Sequence, residues 1–238
     1  MLRVHPSDSA ILADHGLNLQ AVFDLVTLPA HIVAQLEAVE ATKAYRQLLV
    51  FGHGGRRFWQ ALSATKSMDA DNPVDRFSIN TINSFFSEEN PENSYRVIFP
   101  EHHGIVPLQQ LGKLAGWHHD SPFLLGLNSV WGSWFAYRAV VLADTAFALT
   151  QPLPAISPCE VCVSRACLSA CPAVIFPCSE ITLAACIKER LQESSCCAHR
   201  CLARMACPVM AEQRYGDQQM AYHYGCSLET IRHHRGMS

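Results

Sequence analysis

Four cysteines fall within CEVCVSRACLSACPA, residues 159–173, and Pro172 follows the last of them. Thiolates at such spacing converge on a soft metal centre. The run is Cys159-x2-Cys162-x4-Cys167-x3-Cys171-Pro172. Bacterial cluster runs read C-x2-C-x2-C-x3-C-P, the fourth cysteine serving the other of two clusters. The gap before Cys167 is two residues longer than that pattern, which makes Cys167 the least regular ligand. A second group, Cys196/Cys197, Cys201 and Cys207-Pro208, closes in the same way, and Cys186 lies between the groups. Exchanged fourth cysteines would place Cys159, Cys162, Cys167 and Cys207 on one [4Fe–4S] cluster. A second would take Cys171, Cys186, Cys201 and either Cys197 or Cys196, with Cys197 preferred. The chemistry is one-electron transfer by one or two clusters. Cys178 and Cys226 belong to no closed group and are expected not to ligate. The competing readings are a zinc site, with Cys159/Cys162 and Cys197/Cys201 as knuckles, and buried thiols or bridges.

All eleven cysteines lie between Cys159 and Cys226. A secreted disulfide scaffold would spread its cysteines through the fold and carry an export signal. The N-terminus, MLRVHPSDSA, lacks the apolar run of such a signal. No apolar segment approaches the length of a membrane span. A net charge of −3 gives no general attraction to nucleic acid or anionic membrane. These features predict a cytoplasmic protein whose partner is a redox protein or a small-molecule substrate, without nucleic acid or membrane.

The elements that must carry this chemistry are legible as hydrophobic periods. HIVAQLEAVEA (31–41) and RRFWQALSATK (56–66) have helical spacing. RQLLVFGHGG (46–55), YRVIFP (95–100) and WFAYRAVVLAD (134–144) read as strands. Pro73 suits the first turn of a helix through VDRFSINTINSFFSE, with Asn72 as its cap. VPLQQLGKLAGW (106–117) is a further amphipathic helix. Helices and strands that alternate in this way indicate an α/β or α+β layer domain over residues 1–150. The proline-rich TQPLPAISP (150–158) marks a boundary, and residues 151–238 read as a small, mainly helical, ferredoxin-like cysteine module.

Several smaller signals carry alternatives. GHGG (52–55) is either a tight strand-to-helix turn or a backbone approach to a phosphate or corrin side chain. His102-His103 and His118-His119-Asp120 are solvated loops or, one residue of each pair at a time, a site. Asp75-Arg76 suits helix capping. Gly132-Ser133-Trp134-Phe135, at the mouth of a strand, offers close approach to a flat cofactor, with core packing as the alternative. DQQMAYHYGCSLETIRHH (217–234) fits helix-turn-helix spacing with the turn at Gly225, although a helical hairpin over the cysteine module is expected instead.

NPVDRFS (72–78) and WGSWFAYRAVVLAD (131–144) resemble segments of the CblC-type cobalamin-processing proteins. The second stretch also resembles the Gly-Ser-Trp-Phe segment of epoxyqueuosine reductases, whose cluster module follows at a similar distance. In those reductases a helix between the two Cys-Pro units supplies a ligand, and AACIKERL, with Cys186, matches its place. The resemblance covers residues 70–208 and implies a nitroreductase-like α+β domain that binds cobalamin. It departs at Gly104, where the reductases carry an acidic residue, and at Trp117-His118-His119-Asp120, where they carry Gly-Lys-Asn after the tryptophan. A related reductive or cobalamin-handling role is therefore implied in place of epoxyqueuosine reduction. The expected function is an iron–sulfur oxidoreductase or cobalamin-handling protein that passes electrons to a corrin or small substrate on the N-terminal domain. The alternatives are a ferredoxin-like carrier and a cluster-sensing DNA-binding regulator.

Overall fold

The computed structural model describes residues 4–101, 104–151, 156–174 and 180–236. The chain divides into two compact units, Met1–Gly116 with Phe135–Pro154, and Trp117–Trp134 with Ala155–Ser238. The segment Trp117–Trp134 thus groups with the cysteine-bearing unit, although a division near residue 151 would assign it to the first. The fold is α+β.

In the first unit the order is α1 (Ala10–Asp14), β1 (Leu19–Asp24), α2 (Ala30–Glu37), β2 (Gln47–Gly54), α3 (Arg57–Ser63), α4 (Pro73–Ser84), β3 (Tyr95–Phe99), α5 (Leu108–Leu114) and β4 (Phe135–Ala143). The four strands form one sheet in the order β1-β2-β4-β3, and each neighbouring pair is antiparallel. β2 is buried along its whole length, which explains its unbroken apolar run. The one polar side chain at its start, Gln47, is satisfied: its Oε1 accepts from Thr145 and from the Phe147 amide, and its Nε2 donates to the Phe147 carbonyl. α4 buries Val74, Phe77, Ser78, Thr81 and Ile82, the stripe that a 3.6-residue period lays on one face. Pro73 occupies its first turn as expected. Asn72 stands at the cap position with φ +49°, yet its side chain makes no capping hydrogen bond.

Gly52, His53 and Gly54 of GHGG are the last residues of β2, paired with β4, and the chain turns toward α3 at Gly55, with φ +69°; the Asn18 side chain donates to the Gly54 carbonyl and accepts from the Gly54 amide. A bulge lies at the same end. Phe51 pairs with Ala139 and Gly52 with Tyr137, so Arg138 is the extra residue on β4. Arg138 Nε donates to His53 Nδ1 at 2.9 Å, which fixes the imidazole as the Nε2–H tautomer. The buried His53 ring stacks on Phe58 at 4.7 Å. Burial pushes the Asp75 carboxyl above the usual carboxylate range, and the nearby Arg138 guanidinium offsets this in part.

A raised native pKa means that protonated Asp75 suits the fold better than the carboxylate does. The associated stability is present below the ordinary carboxylate pKa and is lost as pH rises through the raised value. Asp75→Asn should therefore melt higher than the parent at pH 7, with the gap closing toward pH 3. A constant gap across thermal melts would contradict this account.

In the second unit the helices are α6 (Ala166–Ala170), α7 (Glu180–Arg190), α8 (Leu202–Ala206) and α9 (Asp217–His234). α9 is one continuous helix, which corrects both the helix-turn-helix reading and the expected hairpin. Met220, Tyr224, Leu228 and Ile231 continue a single helical stripe past Gly225, so nothing breaks the helix there. Among the described residues, no helix is long and apolar enough to cross a membrane.

Candidate metal centre

Two cavities in the second unit each gather four cysteines. One, of about 540 Å3, is lined by Cys159, Cys162, Cys167 and Cys207, with Phe123, Leu168 and Val209. The other, of about 410 Å3, is lined by Cys171, Cys186, Cys197 and Cys201, with Phe123, Ala203 and Tyr224. These are the two sets that exchange of the Cys-Pro cysteines predicts.

Two short helices produce the exchange. Cys167 lies in the first turn of α6 and Cys171 caps its end, while Cys201 and Cys207 cap the two ends of α8. Five helical residues extend about 7.5 Å, so the cysteines at opposite ends of one helix face different cavities. α6 leads from the Cys159 cavity to the Cys171 cavity, and α8 leads back. The α6 cap residue, Arg165, takes φ +41° to start the helix so soon after Cys162.

The cysteine environment is apolar. Phe123, Leu127, Ala203, Cys167 and Cys207 form one buried cluster against which Cys159, Cys171 and Cys201 pack. Burial raises the thiol pKa of Cys159, Cys167, Cys186 and Cys207, and raises Cys197 to about 11. Neighbouring thiols raise them further, Cys207, Cys167 and Cys162 acting on Cys159. Backbone amides oppose this at three of them: Leu168 donates to Cys167, Val209 to Cys207 and Leu202 to Cys197; the Arg204 amide also donates to the Cys201 sulfur. Crowded thiols with amide donors would suit sulfur held as thiolate on a metal.

At a Zn–S distance of about 2.3 Å, tetrahedral zinc draws its sulfurs to within about 3.8 Å of one another. Among the described residues, no four cysteines have their sulfurs within 4.8 Å of one another. The one group that close is Glu189, Cys196 and Cys197. The two cavities accept a group larger than an ion, and their donor sets fit a [4Fe–4S] cluster each.

Cys197 is buried and lines the cavity, whereas the adjacent Cys196 is exposed. The Cys197 amide donates to Ser195 Oγ at 3.1 Å, which holds this turn in place. Cys196→Ser should leave iron content and visible spectrum unchanged, whereas Cys197→Ser should lose the iron of one site. Equal losses in iron assays of the two variants would contradict the distinction. Cys226 is exposed on α9 and lines neither cavity; Cys178, like His102 and His103, lies outside the described residues.

Ser133 and Trp134 are buried, and the Arg204 guanidinium lies 4.3 Å from the Trp134 ring centroid while donating to the Ser133 carbonyl and hydroxyl. Tyr215 packs edge-on against the same indole. Phe135 is a buried residue of β4, edge-on to Tyr137. Core packing, the alternative for this stretch, describes all of these contacts. His118 is also buried, with its Nε2 3.6 Å from Asp120, and the His119 backbone pairs with Leu127.

Sequence reasoning missed Phe123, Arg190 and Arg204 around the cavities. The one signal for Arg204 was an arginine three residues after a cysteine in a helix closed by Cys-Pro.

No protein-family model and no curated protein sequence matches the chain. In its fold the chain is nevertheless similar to the epoxyqueuosine reductases, as the resemblance implied. The structure of one such reductase, with an epoxyqueuosine-modified tRNA-Tyr stem loop, aligns over 88% of this chain at 10% identity with a TM-score of 0.52. The Bacillus subtilis epoxyqueuosine reductase aligns over 87% at 10% identity with a TM-score of 0.50. This chain spans 66% of the length of each, just under two thirds. The C. elegans B12-trafficking protein CblC, a homologue of human MMACHC, aligns over 90% of this chain and 88% of its own, at 14% identity and a TM-score of 0.48.

Proposed function

We propose that the chain is an iron–sulfur oxidoreductase that passes electrons from two [4Fe–4S] clusters in its second unit to a small molecule on its first. The observation that carries this reading is the division of eight cysteines into two cavities of four, in the exchanged order. Cys159, Cys162, Cys167 and Cys207 would hold one cluster, and Cys171, Cys186, Cys197 and Cys201 the other. When bound, each supplies one-electron redox chemistry at a potential set by hydrogen bonds to sulfur, burial and local charge. The protein's own part is to exclude water with Phe123, Leu127 and Ala203 and to aim amide donors at the sulfurs. The likeness to epoxyqueuosine reductases supports a redox enzyme over a zinc scaffold. The net charge of −3 favours a small-molecule or protein partner over a polyanion.

Ser133 and Trp134 are buried, with Arg204 and Tyr215 packed on the indole. This observation favours a second reading, in which the protein is an electron carrier without catalysis of its own. Anaerobically purified protein should contain roughly eight iron and eight acid-labile sulfide per chain, with a broad visible absorption that dithionite bleaches. Zinc without sulfide would overturn the redox reading. A change in the corrin spectrum on titration with cobalamin at micromolar protein would make a corrin the acceptor, and an unchanged spectrum would leave the carrier or another small substrate.

A further inference from the structure

The two cavities are alike in their thiols and amide donors and unlike in charge. Each has backbone N–H groups on two of its sulfurs: Cys167 and Cys207 in one, Cys197 and Cys201 in the other. The Cys171 cavity is also lined by Arg190 and Arg204, which are 8% and 7% exposed. Arg190 donates to the carbonyls of Cys197, Ala198 and Tyr224 and to Ser227 Oγ, and lies 5.2 Å from the Tyr224 ring centroid. Arg204 donates to Ser133 and lies between Trp134 and Tyr215, 4.3 and 4.9 Å from their centroids. Both guanidinium groups are solvated by neutral oxygens and aromatic faces, and among the described residues no ion pair with a carboxylate cancels their charge. The one carboxylate lining the cavity among the described residues, Glu189, is partly exposed and lies within 4.8 Å of the Cys197 sulfur, and the exposed Arg200 lines the cavity as well. In the Cys159 cavity the one charged lining residue among those described is the exposed Arg165, and the half-buried Arg214 donates to the Cys207 carbonyl beside it, so this site has one half-buried cation against two buried ones.

Reduction adds one negative charge to a cluster. A buried cation beside it stabilises the reduced form far more than an exposed one does, because the intervening medium screens less. We infer that the clusters are redox-unequal: the one held by Cys171, Cys186, Cys197 and Cys201 has the higher potential and is the electron acceptor of the pair. This rests on the two-cluster reading. A low-potential one-electron donor would reduce the Cys159 cluster from the 2+ to the 1+ state. That electron would then pass to the cluster held by Cys171, Cys186, Cys197 and Cys201, leaving it 1+ and returning the first to 2+. Phe123, the side chain that lines both cavities among the described residues, is the group between them.

The test is an anaerobic, EPR-monitored redox titration of the full, cluster-loaded chain. Cys159→Ala and Cys171→Ala, each retaining one cluster, assign the two signals. In the parent protein, less than one equivalent of dithionite should reduce the Cys171 cluster first, with at least a tenfold preference, or about 59 mV for a one-electron couple. Arg204→Met should shift that midpoint downward by a comparable amount and leave the other in place, while Arg204→Lys should restore most of it. Equal or reversed potentials in the parent overturn the inference even if Arg204→Met does not fold. A shift of both midpoints together, or of neither, overturns it as well. Parent protein without iron and sulfide would defeat the two-cluster reading and this inference with it; iron and sulfide at both sites with the wrong order would defeat this inference alone.

Discussion

Cys207→Ala should lose the iron and sulfide of one site and keep the other, halving both the metal content and the dithionite-sensitive absorption. Cys207 follows the whole of the first cysteine group in sequence, yet it shares a cavity with Cys159, Cys162 and Cys167. It is 4% exposed and takes a hydrogen bond from the Val209 amide, so no water or mobile side chain stands ready to replace it. A cluster left with three thiolates and an apolar wall is labile, because the fourth iron has no ligand there. Cys171→Ala should cost the other site by the same argument, since Cys171 faces the second cavity from the far end of α6. Full retention of iron in Cys207→Ala would remove the exchanged-ligand arrangement, and loss of all iron would mean that the two sites do not assemble independently.

Gly132→Ala should destabilise the second unit by about 2–5 kcal/mol. Gly132 has φ +59°, where an L-residue is strained by about 1–2 kcal/mol. A Cβ there would also lie 2.4 Å from the Val209 carbonyl oxygen, a backbone atom that cannot rotate aside, and overpacking of this kind costs about 1–3 kcal/mol more. Both neighbouring segments are pinned. Asn128 exchanges backbone hydrogen bonds with Gly132 and accepts from the amides of Val130 and Trp131, while Val209 follows Cys207-Pro208 directly. The strain therefore reaches the Cys207 ligand position, and the variant should lose iron there before the other site. Denaturant unfolding together with iron analysis would measure both effects; a parent-like midpoint with full iron would show that this contact is not held closely.

Much of this protein is local and so was legible in the chain itself. The apolar run of β2, the helical stripe of α4 and the cysteine spacings each depend on residues a few positions apart, and each reports its own geometry. The sharing of cysteines between the two Cys-Pro groups was expected from the pattern of two-cluster ferredoxins, whose fourth cysteine serves the other cluster. Other features depend on what lies across the fold. β1 is short and weakly patterned, and becomes a strand by pairing with β2. Cys196 and Cys197 are chemically identical neighbours, and only the turn at Ser195 decides which sulfur faces inward. Trp134 reads as an exposed aromatic platform until Arg204, seventy residues later in sequence, is found covering its face. The amino-acid sequence by itself pointed to thiolate metal chemistry, since that expectation follows from ligand type and spacing. Tertiary structure alone decided which thiols meet and which cavity receives the buried charge, because burial and electrostatic contact are properties of residues brought together from distant parts of the chain.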